Sequence, residues 1–457
     1  MNKLKNKRIS PVRLIPLSFL VAIIAGTLLL MLPCCTAKGE STDWLTALFT
    51  STTSVCVTGL VVVDTYAHWS FIGQFVIMVL AQLGGLGIVT VFFTFIILTP
   101  KKITLGERML LKDALNMNEG RHLLHFLKKV VAGTLIIEGI GALLYMIAYI
   151  PVLGIKKGIW ASVFQGVSAF CNAGMDVVGP DSLISYRDNL LIMIVTMVLI
   201  VLGGLGFVVW FDLSHGIKEG IKKRFSIIKI IKRLPEHSRL VLGITFSLLF
   251  GGALLFFITE YNNPETMGSM SVGDKMLNAL FQSVTLRTAG FATVPQEKLT
   301  GISCIIGYIL MFIGGSPIGT AGGVKTVTMF MVFVNAYSYI IGRNENIVFK
   351  KRITEEMIRK ASAIVAVSVT TVLVLTMILM AVNPVSLEDA LYEVVSASAT
   401  VGLSRGLTPN LNSLGRCVII VSMYLGRIGP ISMAIFFTKS SSASNRIRYT
   451  NGNFYIG

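Results

Sequence analysis

Four short stretches of this chain end in glycine, and the glycines, Gly59, Gly174, Gly290 and Gly402, follow one another at intervals of 115, 116 and 112 residues. The stretches read ALFTSTTSVCVTG, SVFQGVSAFCNAG, ALFQSVTLRTAG and ALYEVVSASATVG. Each has an aromatic residue nine or ten positions before the glycine and a small, hydroxyl-rich middle. A period this long exceeds that of ordinary solenoids, so each unit is a quarter of a larger bundle or ring. A second glycine cluster follows 24 to 29 residues later in every unit: Gly84-Gly85-Leu86-Gly87, Gly203-Gly204-Leu205-Gly206, Gly314-Gly315 and Gly426 to Gly429. Any one of the 43 glycines, taken singly, also reads as a helix-packing residue in a membrane. Recurrence at one phase distinguishes these four, whereas the second clusters read as packing or bending sites.

The surrounding solvent is lipid. With 53% hydrophobic and 14% charged residues and a mean hydropathy of +0.75, the chain is too apolar for a water-soluble core. Eight stretches are long enough to cross a bilayer: 13–33, 71–98, 130–150, 190–211, 240–258, 304–334, 361–382 and 417–437. Each glycine-ended stretch falls between the members of a pair. The expected architecture is an all-α membrane protein of four tandem helix–pore-loop–helix units, with eight transmembrane helices and four re-entrant pore helices around one pseudo-fourfold pore. The units span residues 1–100, 101–215, 216–342, with a broken second helix, and 343–457, with the C-terminal tail.

Charge follows topology. Of the 40 Lys and Arg, 29 lie in alternate loops: five in 1–13, seven in 101–129, eight in 214–239, six in 340–360 and three after Phe437. By the positive-inside rule these loops and both termini are cytoplasmic, and the short stretches open to the outer face. The basic run Lys222 to Arg233 is accounted for by this signal; binding of anionic lipid or of a cytoplasmic partner is the other reading. No nucleic-acid-binding motif accompanies the net charge of +17, so no nucleic-acid partner is expected. The basic, apolar N-terminus is too long for a secretory signal, and Leu32-Pro33-Cys34 lacks the small residue expected before a lipoprotein cysteine.

Catalytic patterns are absent. The chain has no Walker loop, GxSxG or HExxH, and its six cysteines lack CxxC or metal-ligand spacing, so no enzyme, disulfide framework, structural metal site or covalent cofactor is expected. Glu138 is the clearest acid deep in a span. It reads as a carboxyl hydrogen-bonded toward other helices, or as a proton relay.

A stretch of about a dozen residues is half the length needed to cross, so each must enter and leave by one face. Such backbone survives only where protein or a water-filled cavity satisfies it. A helix entering from outside aims its carbonyl end at the membrane centre, and four such ends around an axis favour a cation. Glycine permits the positive φ that an extended strand needs to turn its carbonyls inward, and rings of carbonyls replace the hydration shell of a monovalent cation. The candidate filter is therefore Val57-Thr58-Gly59, Asn172-Ala173-Gly174, Thr288-Ala289-Gly290 and Thr400-Val401-Gly402.

Four unequal pore loops on one chain, Thr400-Val401-Gly402 in the last, VTLRTAGF in the third, and Gly426-Arg427-Ile428-Gly429-Pro430 resemble the Trk/Ktr/HKT superfamily of potassium transporters across essentially the whole chain. Twelve residues precede Arg13, which makes the likeness closer to the bacterial KtrB membrane subunit. The resemblance implies a K+-conducting subunit in the bacterial plasma membrane, a homodimer, and a cytoplasmic octameric ring of KtrA-type nucleotide-binding subunits. It further implies K+ as the transported ion, Na+ as a candidate activator, and ATP or ADP acting only through the partner. Plant relatives with sodium selectivity carry Ser at the first filter glycine; Gly59 favours potassium.

Two interruptions remain. The run from Gly314 to Lys325 is too rich in Gly, with one Pro, to remain a regular helix. It is either a kink or, as the resemblance implies, an intramembrane loop that obstructs permeation, with Gly319, Thr320, Ala321, Gly322, Gly323, Val324 and Lys325 as candidate gate residues. Arg427, deep in the last span, matches the cavity arginine of that superfamily and implies an electrostatic barrier. Arg287 is expected to brace the filter from behind, and Glu393 is a candidate counterion. The leading expectation is a K+ uptake subunit. Its rivals are a Na+- or H+-coupled secondary transporter, in which Glu138 would matter, and a non-conducting scaffold, in which the filter glycines would be dispensable.

Overall fold

The computed structural model describes residues 11–87 and 123–429. The first of the four expected units runs from α1 (Pro11–Leu30) through the short α2 (Trp44–Cys56) and a single turn, α3 (Thr65–His68), to α4 (Phe71–Leu86). The second contains α5 (Leu123–Leu153), α6 (Ile155–Cys171) and α7 (Leu190–Gly204); α8 (Phe207–Lys223) crosses its expected boundary at 215, and α9 (Ile227–Arg233) falls in the third. In the third, α10 (Glu236–Glu260) leads to α11 (Val272–Thr285), α12 (Gly301–Phe312) and α13 (Thr326–Ile340). The fourth is α14 (Glu355–Val382), α15 (Leu387–Ser398) and α16 (Ser413–Ile428). One small antiparallel hairpin, Ile347–Val348 with Lys351–Arg352, departs from the all-helical expectation.

Local chemistry sets the short helices. The Asp43 carboxylate accepts from the amides of Leu45 and Thr46 at the start of α2, while Ser271 and Ser386 accept from the amides of Asp274 and Asp389. Each cap satisfies donors that the first turn leaves unpaired. The shared aromatics, Phe49, Phe164, Phe281 and Tyr392, are among the largest fully buried side chains of the molecule, so each anchors its helix in the interior.

Packing makes a cycle. Within the units, α1 lies on α2, α5 on α6, α10 on α11 and α14 on α15. Between units, α4 lies on α6, α7 on α11, α12 on α15 and α16 on α2, so the last unit returns to the first. Glycine permits these approaches: a β-carbon at Gly84, Gly203 or Gly426 would press on the carbonyl of Val55, Phe170 or Ser398, four residues before the corresponding loop glycine. Three of the second clusters are therefore packing sites.

The outer surface is apolar. Leu135, Ile136, Phe246, Phe250, Leu373 and Met377 stand exposed on α5, α10 and α14, the reverse of a water-soluble helix. Among the described residues these three helices are long and apolar enough to cross a bilayer; α1, α4, α12 and α13 are apolar but shorter. Each expected span contains a helix, unbroken across 130–150, 240–258 and 361–382 but not across every one. The stretch 190–211 is interrupted at 205–206, where α7 and α8 meet at 104°. α4 and α16 end at Leu86 and Ile428, and the continuation of their expected spans past 87 and 429 lies outside the described residues. The physical reason is the recurring glycine: Gly87, Gly206 and Gly429 all have positive φ, which stops a right-handed helix. The expected break in the third unit occupies residues 313–325, between α12 and α13.

Candidate functional site

The four glycines meet. A β-carbon on Gly59 would lie 2.6 Å from the carbonyl oxygen of Ala173, and one on Gly174 would lie 2.5 Å from that of Ala289. Gly290 faces the carbonyl of Val401 still more closely, and Gly402 faces that of Thr58. Each glycine thus abuts the residue preceding the next glycine, and four such contacts close a ring. Any other residue would collide with the oxygen it packs against.

The backbone repeats as well. Val57, Asn172, Thr288 and Thr400 have φ of 56°, 60°, 71° and 52°, and the glycines two positions later have 99°, 65°, 87° and 96°. A strand whose residues alternate between positive and negative φ turns successive carbonyls to one side, the arrangement a carbonyl cage requires. Three of the left-handed residues are β-branched, where this conformation is an outlier costing about 1–3 kcal/mol each and persists only when its surroundings enforce it.

Those surroundings include hydroxyls that the sequence reading did not single out. Thr53 Oγ1 accepts from the Gly59 amide at 2.9 Å, and Ser396 Oγ accepts from that of Gly402 at 3.1 Å. Ser168 Oγ donates to the Met175 carbonyl at 2.5 Å, and Thr285 Oγ1 to that of Phe291 at 2.7 Å. The signal is visible in the four stretches as a Ser or Thr six residues before the glycine, five in the shorter third. By contrast, the buried side-chain polar atoms of Asn172, Thr288 and Thr400 have no hydrogen-bond partner among the described residues. The Asn172 amide reaches Gly204, and the Thr400 hydroxyl lies against Gly322 in the break.

Beneath Thr400, the break is a closed excursion. Its base is pinned by the Gly314 amide to Val324 O at 3.0 Å, Val324 to Phe312 O at 3.2 Å and Thr326 to Gly315 O at 3.1 Å. Its tip docks on the second unit: Ser316 and Thr320 donate their amides to Gly204 O and Gly203 O, and Phe207 donates to Ile318 O. Thr320 Oγ1 also donates to Phe170 O at 3.2 Å, the carbonyl end of α6, while Lys325 Nζ donates back to Ala321 O at 2.5 Å. Arg427 donates to Thr320 O and to Gly84 O. One guanidinium therefore ties the break to the end of α4.

The remaining anomalies separate. Glu393 accepts from Ser404, from the Thr408 amide at 3.3 Å and from Thr408 Oγ1 at 2.9 Å, so it braces the loop after the fourth glycine and is not the counterion of Arg427. Sequence gave no sign that α15 turns this carboxylate away. Arg287 donates to Gly314 O at 3.5 Å, linking the third loop to the start of the break. Glu138 accepts from Gln82 Nε2 at 3.2 Å and from Cys171 Sγ at 3.7 Å, behind the second loop, as a carboxyl turned toward neighbouring helices. No group of three His, Cys, Asp or Glu able to hold a metal occurs among the described residues.

Comparison with known proteins matches residues 14–447 to the family described as TrkH, cation transport protein. The potassium/sodium uptake protein NtpJ of Enterococcus hirae is 36% identical, over 100% of this chain and 99% of the relative. The Ktr system potassium uptake protein B of Bacillus subtilis is also 36% identical, over 98% and 97%. The crystal structure of the potassium transporter TrkH from Vibrio parahaemolyticus superposes with a TM-score of 0.74 at 18% identity, covering 96% of this chain and 87% of that one, a likeness of fold.

Proposed function

This chain belongs to the TrkH family of cation transport proteins, and from that membership we propose that it is the ion-conducting subunit of a bacterial potassium uptake system. The observation that carries this reading is the closed ring of glycines and carbonyls. K+ would pass through it, stripped of water and coordinated by the carbonyls of the twelve loop residues named above. Unpartnered polar atoms at the same position of three loops, Asn172, Thr288 and Thr400, support the same axis, and Thr400 lies against the break. The break, residues 319–325 with Arg427, is the gate: it lies against Thr400 and carries a guanidinium whose charge opposes a cation most strongly in a low-dielectric passage.

The four-unit division, eight crossings and cytoplasmic termini complete the proposal. Two relatives named as parts of a Ktr system support a multi-component assembly, here a homodimer on a cytoplasmic nucleotide-binding ring, with Na+ as an activator. The test is radioactive Rb+ uptake into liposomes holding the purified chain, with and without a KtrA-type subunit. Downhill, K+-competed flux is expected. Accumulation that strictly follows an imposed Na+ or H+ gradient would replace it with the coupled-transporter reading, and absence of flux in well-folded protein with its partner would leave a scaffold.

A further inference from the structure

The 104° turn after α7 has a second consequence, away from the ring. α7 presents Leu190, Ile194 and Val198 outward, the surface of a helix in lipid. At about 22 Å α7 ends short of a full crossing, beside the tip of the break, and α8 leaves it at nearly a right angle. α9 folds back on α8 and is separated by two residues from α10, so the far half of the α8–α9 hairpin lies at the end of a helix long and apolar enough to cross.

The hairpin has its own small core: Ile230 packs against Gly220, and Ile230 with Leu234 against Gly216. Five other isoleucines are left outside, Ile217, Ile221, Ile227, Ile228 and Ile231, with exposures from 44% to 75%. Around them lie seven Lys and Arg within residues 217–233 against one acid, Glu219. That acid is already engaged, for Lys223 donates to it at 2.5 Å and holds its carboxyl below the usual range. Lys229 and Arg233 sit over the Phe225 ring at 4.4 Å and 4.2 Å. Exposed branched apolar side chains interleaved with uncompensated cations, beside a helix that enters a membrane, are the chemistry of an interfacial anchor.

We propose that the α8–α9 hairpin binds the bilayer surface itself, inserting its isoleucines at the acyl boundary and pairing its lysines and arginines with anionic phospholipid headgroups. A cytoplasmic protein could use the cations, but five exposed apolar side chains next to the lipid-facing α10 favour lipid. The inference rests on α10 crossing a bilayer, part of the proposed function, and not on the identity of the permeant ion.

The test uses the full chain with Cys34 and Cys417 replaced by Ser and a polarity-sensitive fluorophore on Ile228→Cys, in nanodiscs of brominated phosphatidylcholine with or without phosphatidylglycerol. Quenching is expected to be roughly threefold or more stronger with phosphatidylglycerol, and to weaken with salt. Lys222→Gln, Lys223→Gln, Arg224→Gln and Lys229→Gln together should abolish that increment while the variant's Rb+ flux in phosphatidylcholine liposomes matches the parent's. A second label at Ile217→Cys should behave alike. Labels that stay in water with phosphatidylglycerol present, or that become protected only when a KtrA-type subunit is added, overturn the proposal. Quenching without Rb+ flux would sink the conduction reading and leave this one standing.

Discussion

At Gly402 a side chain would press on the Thr58 carbonyl of the first unit, and at Gly59 on that of Ala173, while both residues hold φ near 100°. Two penalties therefore coincide at each glycine, a strained backbone of about 1–3 kcal/mol and a collision that moves a neighbouring carbonyl. Gly59→Ser and Gly402→Ala are expected to lower discrimination between K+ and Na+, read as the ratio of the two fluxes. Unchanged selectivity in either well-expressed variant would remove that glycine from the filter. The bracing hydroxyls behave differently. Thr53→Val should leave the buried Gly59 amide unpaired, at a cost of about 1–3 kcal/mol, and Thr53→Ser should restore it. The measurement is again selectivity, with thermal stability beside it to separate loss of the filter from loss of the fold.

Among the elements, the break between α12 and α13 is the one proposed as the gate. Much of it is glycine, and it is held by hydrogen bonds to its own base, to residues 203–207 and to Arg427. Each bond from a charged donor contributes about 1.5–3 kcal/mol, so losing the two from Arg427 is enough to shift an open–closed equilibrium roughly tenfold or more. Arg427→Ala is expected to raise Rb+ flux and reduce its dependence on the partner while leaving selectivity intact. Deleting residues 319–324 should do the same more strongly. Arg427→Lys, with one compact donor group in place of a fork that spans Thr320 and Gly84, should fall between parent and Ala. If all three insert normally and conduct no faster than a submaximally active parent, the break is a kink and the gate lies elsewhere.

For the whole molecule, closure of the cycle by α16 on α2 means that residues from opposite ends of the described chain, Trp44–Cys56 and Ser413–Ile428, share one interface. Such a ring is complete only when the fourth unit has folded, so conduction should require the intact chain. Orientation follows from the loop charges. A cysteine at Ser226 should react with an impermeant reagent only from the cytoplasmic side, and one at Asn262 only from outside. The reverse pattern would invert the short helices and point their carbonyl ends the wrong way for an inward-moving cation.

Sequence by itself determined the elements that a period or a composition can carry. The hydroxyl-rich stretches that end in Gly59, Gly174, Gly290 and Gly402, the apolar stretches and the helix-breaking run before Lys325 each depend on neighbours within a few residues, and the first of these recurs at one long period. Each left a legible local pattern. The partners of those residues did not, because they are contacts across units. Nothing near Glu393 announces Thr408, nothing near Arg427 announces Gly84, and the apolar run 190–211 reads as one span although Gly206 turns it. Tertiary structure alone decided that each glycine faces the carbonyl of the next loop, since a ring is a relation among four distant segments. Packing fixes that relation, and no local preference encodes it.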